Sequence, residues 1–170
     1  EIGPNAFREC WNLYELYTTE GEELTIGDNA FYGCDIFNGA GLAKGLVHLG
    51  NSAFDYCEAM TWVSLPEGLT YIGTWCFSND AIYEVKIPET VTTIGEGAFN
   101  NCNNLEGVHV PGGVSVIEAN TFAHCDTLWY LWFDEGISII RDDAVYGSDN
   151  LVNICYSGSA ESWAGVSVGN

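Results

Sequence analysis

Basic side chains are almost missing from this chain. Arg8, Lys44, Lys86 and Arg141 stand against 24 acidic residues, for a net charge of −20 over 170 residues and a pI near 4.1. A surface so poor in cations repels phosphate backbones and anionic lipid headgroups, which argues against nucleic acid and membrane surfaces as partners. Long apolar runs are lacking as well: no stretch approaches the ~18–20 residues of a membrane helix, so no membrane insertion is expected within this segment. The N-terminus has no basic, apolar and small-residue leader. Glu1 instead runs straight into Ile2-Gly3-Pro4-Asn5-Ala6-Phe7, so the chain is expected to be a section of a longer array, with export signal and anchor outside it. The signatures of chemistry are missing too. There is no C-x-x-C or Cys/His cluster at zinc spacing and no D-x-D-x-D-G calcium loop. No serine or cysteine sits in a Gly-flanked elbow near a histidine. The expectation is no catalytic residue, no metal and no cofactor.

Hydrophobic residues make up 47% of the chain and aromatics 14%, which is enough to fold it despite the charge. What fills it is a repeat. The pattern I-G-x-x-A-F-x-x-C occurs seven times, as IGPNAFREC from Ile2, IGDNAFYGC from Ile26, LGNSAFDYC from Leu49, IGTWCFSND from Ile72, IGEGAFNNC from Ile94, IEANTFAHC from Ile117 and IRDDAVYGS from Ile140. The central position falls at Phe7, Phe31, Phe54, Phe77, Phe99, Phe122 and Val145, in steps of 24, 23, 23, 22, 23 and 23 residues.

After each Cys position comes apolar-x-x-apolar-x-apolar, as in Met60 to Leu65 and Leu105 to Val110. Alternation over its last positions predicts a short strand with one buried face. Pro66, Pro88 and Pro111 end the strand, since proline cannot continue a ladder. One unit cannot bury its own apolar face, whereas stacked units bury continuous columns, with parallel strands ~4.8 Å apart and roughly 30 Å of sheet for seven rungs. The residue before A-F is Asn5, Asn29, Ser52, Asn120 or Asp143 in five copies, and Trp75 or Gly97 in the others. Such polar residues cap helical turns, so a short 3₁₀ or α turn is expected there.

The signature I-G-x-x-A-F-x-x-C-x-x-L…I-P resembles the BspA-like leucine-rich repeats, a bacterial and protist surface-protein family, over Ile2 to Ser157. The segment from Tyr156 to Trp163 is similar to the Y-x-G-x-x-x-x-W stretch that often closes such arrays. The resemblance implies a leucine-rich-repeat solenoid with a right-handed superhelix and a parallel sheet of short strands. It also implies cell-surface display, binding of host or microbial macromolecules, and no enzymatic activity. The solenoid is expected over residues 1–158, with a tail or cap over 159–170, as a monomer.

Three copies depart from the pattern. Copy two lacks the strand-ending proline and carries Gly39, Gly41 and Gly45, so its strand is expected to be the weakest. Copy four has Cys76 in the Ala column and Asp80 in the Cys column. Copy seven replaces Phe by Val145 and Cys by Ser148. The column Cys10, Cys34, Cys57, Cys102 and Cys125 reads first as reduced core filler, with a disulfide or metal as alternatives; Cys155 lies outside it and is the expected reactive thiol. Asp28, Glu96, Asp142 and Asp143 read as a solvated acidic edge.

If the apolar strand positions point inward, two alternate columns face solvent. They are Glu15, Gly39, Trp62, Glu84, Gly107, Tyr130, Asn153 and Tyr17, Gly41, Ser64, Lys86, His109, Trp132, Cys155. Trp62, Tyr130 and Trp132, with Trp129 and His109, are expected to form an aromatic strip, and exposed aromatics dominate binding hot spots. The candidate ligand-binding residues are Trp62, Ser64, Glu84, Lys86, His109, Tyr130, Trp132 and Asn153. The leading reading is an extracellular adhesion module for a protein ligand. A carbohydrate-binding surface or a spacer displaying other domains are the alternatives.

Overall fold

The computed structural model describes residues 1–21 and 23–169. In chain order its elements are β1 (Glu15–Tyr17), β2 (Leu24–Ile26), β3 (Gly39–Gly41), β4 (Leu46–Leu49), β5 (Trp62–Ser64), β6 (Tyr71–Ile72) and β7 (Val85–Lys86). These are followed by β8 (Thr93–Ile94), β9 (Gly107–Val110), β10 (Val116–Ile117), β11 (Tyr130–Phe133), β12 (Ile139–Ile140), β13 (Asn153–Tyr156), α1 (Ala160–Ala164) and β14 (Ser167–Val168). Among the described residues, odd-numbered strands pair in parallel only with odd ones and even with even. The chain is therefore a solenoid with two parallel sheets on different sides, one more than the alternation in the sequence announces.

The odd-numbered strands are the alternating segments. Their middle residues Ala40, Val63, Val85, Val108 and Leu131 are buried and stack rung on rung. Pro66, Pro88 and Pro111 then open turns, their carbonyls accepting from the N–H groups of Leu69, Val91 and Val114. β3, expected from its glycines to be the weakest strand, pairs over all three residues with both β1 and β5. The shortest odd-numbered strand is β7, tied to β5 through one isolated bridge between Trp62 and Glu84.

The Ile-Gly pair that precedes each bend follows from close packing. A Cβ at Gly27 would lie 2.7 Å from Pro4 N, and one at Gly50 would lie 2.5 Å from Asp28 N. Glycine ends in this column at Glu118 and Arg141. The even-numbered sheet breaks at the same place, into β2-β4-β6-β8 and β10-β12-β14. Glu118 and Arg141 form an ion pair of 2.6 Å across their two rungs.

Contrary to the capping expectation, the A-F-x-x-C bends contain neither 3₁₀ nor α turns. Backbone N–H groups alternate instead. Asn5, Phe7 and Glu9 donate to the carbonyls of Asp28, Ala30 and Tyr32 in the next rung, while Ala6, Arg8 and Cys10 donate three residues back to Gly3, Asn5 and Phe7. The first of these turns needs a positive φ at its third residue. Asn5, Asn29, Ser52, Trp75, Gly97, Asn120 and Asp143 all supply it, at φ of 50–61°. Asn and Asp are favoured there because they tolerate the left-handed region, not because they cap a helix. Gly97 belongs to the same rule. Trp75 violates it, and its ring covers the face of Gly97 where a Cβ would stand.

The core is a set of columns. Phe7, Phe31, Phe54, Phe77, Phe99 and Phe122 stack with centroids 5.0–5.7 Å apart and nearly parallel planes. Beside them the thiols of Cys34, Cys57, Cys102 and Cys125 donate to the carbonyls of Phe7, Phe31, Phe77 and Phe99 at 3.0–3.2 Å. Ser148 makes the same bond to Phe122 at 2.7 Å, which explains why serine can follow cysteine in this column. Burial pushes the Cys102 thiol well above its ordinary value and that of Cys125 up to about 12. All seven cysteines are free; Cys10 and Cys155 are half-buried and the other five buried. In the native protein a thiol reagent should titrate these two rapidly and the remaining five only after denaturation.

Asp80 is the misfit. Its Oδ1 accepts the Cys57 N–H at 3.0 Å, but the buried Oδ2 has no hydrogen-bond partner among the described residues. Burial holds its carboxyl well above the ordinary range; the Cys57 N–H relieves that only in part, and the charge of Asp55 adds to it.

At the C-terminal end, Ser159 caps α1 by accepting the Ser162 N–H, and the Tyr156 and Trp163 rings meet at 5.2 Å. β14 then pairs with β12, so the tail adds half a rung to the even-numbered sheet.

Candidate functional site

On the odd-numbered sheet, residues flanking the buried middle column must point outward. The register assembles them into two outer columns. One runs Glu15, Gly39, Trp62, Glu84, and continues on the second part of the sheet as Gly107, Tyr130, Asn153. The other runs Tyr17, Gly41, Ser64 and then Lys86, His109, Trp132, Cys155. Ser64, Glu84, Lys86, His109, Trp132 and Asn153 are exposed, whereas Trp62 and Tyr130 are half-buried.

That difference comes from glycine. The Trp62 ring occupies the space where a side chain on Gly39 would stand, and the Tyr130 ring does the same over Gly107. Each aromatic lies down on the rung before it, which hides one ring face and presents the other. Gly39 and Gly41 of copy two are therefore seats for rings, of Trp62 and Tyr17.

The aromatic strip resolves into two separate clusters. Trp62 meets Tyr17, with ring centroids 6.0 Å apart, across Gly41. Three rungs away, ~14 Å along the stack, Trp129 and Tyr130 cross at 66° with centroids 4.6 Å apart. Trp132, 43% exposed, stands edge-on to His109 at 6.3 Å. Glu84 and Lys86 occupy the gap.

The second cluster has a polar edge. His109 Nε2 lies 2.9 Å from Asp134 Oδ2, and Trp132 Nε1 donates to Asp134 Oδ1 at 3.3 Å. Partial desolvation pushes the Asp134 carboxyl up, but the hydrogen bond and charge of His109, with further hydrogen bonds from Trp132 and Ser157, hold it below its ordinary value. Glu89, from the turn after Pro88, completes a group of three with His109 and Asp134 whose ligand atoms all lie within 4.8 Å of one another.

The histidines sit on different sides. His48 stacks flat on Tyr71 in the even-numbered sheet, centroids 4.5 Å apart, and His124 meets Tyr146 edge-on at the A-F-x-x-C bends. Those bends carry a further aromatic group that the repeat pattern conceals: the Arg8 guanidinium lies 5.0 Å over the Tyr32 ring, and Tyr32 meets Tyr56 at 5.7 Å. The acidic residue Asp28 has a structural duty, accepting the Asn51 N–H of the next rung at 2.7 Å.

Chained left-handed turns, a phenylalanine ladder and a thiol column in register describe one kind of repeat, and the BspA type leucine rich repeat region matches residues 24–152 in six copies. The chain belongs to this family. The copy at Ile2, ahead of the matched region, is continuous with the rest of this leucine-rich repeat: Ile2 bridges to Ile26 and Phe7 joins the ring stack. A leucine-rich repeat protein from Bacteroides ovatus is similar in structure, with a TM-score of 0.88 and 26% identity, over 99% of this chain and 43% of its own. The leucine-rich repeat protein of T. pallidum is similar with a TM-score of 0.83 and 24% identity, over 92% of this chain and 73% of that one. A leucine rich cell surface protein from Faecalibacterium prausnitzii has a TM-score of 0.51 and 21% identity, over 97% of this chain and 65% of its own. The last two likenesses show the fold alone. The chain spans less than half the length of the B. ovatus protein. No curated protein matches the chain, and among the described residues no helix is long and apolar enough to cross a membrane.

Proposed function

We propose that this leucine-rich repeat array is a non-enzymatic binding segment of a surface-displayed protein, and that the odd-numbered sheet around β9 and β11 docks a protein ligand. The observation that carries the reading is the second cluster, in which Trp129, Tyr130, Trp132 and His109 stand together on a rigid sheet. Trp and Tyr at such places supply large contact area at little entropic cost. Their rings cross at 66° and 87° and make a knobbed surface suited to a protein's pockets, where a sugar ring calls for a flat platform. Display outside the cell agrees with the family and with the surface description of the F. prausnitzii protein.

The test is capture of purified extracellular-matrix and epithelial surface proteins by the immobilised chain. Trp132→Ala and Tyr130→Ala should each weaken a captured partner's affinity at least tenfold, as hot-spot truncations do, while Trp11→Ala, at an exposed tryptophan directly after Cys10 and outside the sheet, leaves it unchanged. Capture that survives both substitutions, or glycan-array binding without protein capture, would contradict the reading.

A further inference from the structure

We propose that Glu89, His109 and Asp134 form a binding site for a divalent transition metal ion, with zinc as its reference ligand. The three residues come from successive rungs and offer one imidazole nitrogen and two carboxylate oxygens, all within 4.8 Å of one another. In a tetrahedral zinc site with ligand bonds of about 2.0–2.2 Å, the donor atoms lie about 3.3 Å apart. His109 Nε2 and Asp134 Oδ2 already approach to 2.9 Å. Glu89 is exposed on its turn, so its carboxylate is the donor that has to come closer when the ion binds.

Two features make this more than a chance meeting of charges. Trp132 Nε1 holds Asp134 Oδ1 at 3.3 Å, fixing the carboxylate with its other oxygen turned to His109. Partners that orient a ligating carboxylate in this way are a regular part of metal sites. His109 and Asp134 also stand on or directly beyond neighbouring paired strands, so their spacing is set by the sheet. The donor set chooses the metal: imidazole with carboxylates suits zinc and its neighbours in the transition series, whereas calcium and magnesium favour all-oxygen shells. Three protein donors leave at least one coordination position for water.

The experiment is isothermal titration of the purified chain with zinc chloride in a non-chelating buffer, using zinc itself as the probe. A result here is therefore independent of whether the sheet face captures a protein. One ion per chain is expected to bind saturably. His109→Ala should weaken binding at least tenfold, Glu89→Gln and Asp134→Asn each by about tenfold, and circular dichroism should show each variant folded. His48→Ala, His124→Ala and Cys155→Ser should bind as the parent does, and calcium chloride should give no one-site isotherm. No saturable zinc uptake, uptake unchanged in His109→Ala, or uptake abolished in Cys155→Ser overturns the proposal.

Discussion

Replacing Phe77 by alanine should lower the unfolding free energy by about 3–5 kcal/mol, the usual cost of emptying a fully buried phenylalanine site. Phe77 is completely buried and stacked between Phe54 and Phe99 at 5.5 and 5.4 Å, so the hole opens in the middle of the ring ladder with a neighbour lost on each side. At roughly 2–4 °C per kcal/mol for a chain of this size, the melting temperature should fall by about 6–20 °C. Phe7→Ala is the comparison. That ring is 40% exposed and stacks on Phe31, so its removal should cost less than half as much. In a solenoid each rung rests on its neighbours, and the effect should follow position in the stack. Equal losses at Phe7 and Phe77 would deny the ladder its role in stability; urea unfolding of both variants is the measurement.

Asp80→Asn should act in the other direction and raise stability at pH 7 by about 1–3 kcal/mol, the cost of a buried polar group left unsatisfied. Every neighbour in its column donates a hydrogen to a phenylalanine carbonyl one rung back, from thiol or hydroxyl. The register assigns Asp80 the carbonyl of Phe54, which its carboxyl can serve only while protonated. An asparagine amide can donate there and still accept from Cys57. The sign of the pH dependence follows. Burial raises the folded-state value of Asp80 above its unfolded value, so the native chain holds a proton that the unfolded chain releases. This group's stability is intact below the ordinary carboxylate range near pH 4 and declines as pH rises from there through the folded value. Asp55, whose carboxyl is also raised by desolvation, is present in both proteins, and its own burial cost is common to them. The gain from Asp80→Asn should therefore shrink toward pH 4 and grow toward pH 8. A variant no more stable than the parent at neutral pH would mean that Asp80 is satisfied after all.

The columns of this fold were legible because a solenoid writes its contacts as periodicity. Residues 22 to 24 apart in sequence lie one rung apart in space, so Trp62 beside Gly39 and Tyr130 beside Gly107 could be paired by counting. Three things escaped counting. The even-numbered strands are as short as two residues, Tyr71–Ile72 and Thr93–Ile94, too short for alternation to register. The asparagines before A-F carry the same residue preference for a left-handed turn as for a helix cap, and only the φ angles separate the two. Glu89, His109 and Asp134 are spaced by 20 and 25 residues, neither of which is the repeat length. They meet because Glu89 and Asp134 lie just beyond the two strands that flank β9, within side-chain reach of His109, a feature that no column announces. The same limit applied to the aromatics: their columns were readable, but a ring's tilt onto the preceding glycine, which half-buries Trp62 and Tyr130, was not.

Hydroxyl-radical footprinting of the chain with and without a captured protein partner tests the sheet-face reading most directly, because it reports side-chain exposure on every face at once. Binding at the odd-numbered sheet predicts that oxidation of Trp129, Tyr130 and Trp132 falls in the complex while Tyr32, Tyr56 and Tyr146 at the bends oxidise as before. Protection of Tyr32, Tyr56 and Tyr146 with Trp132 still fully reactive would place the partner on the opposite edge and contradict it.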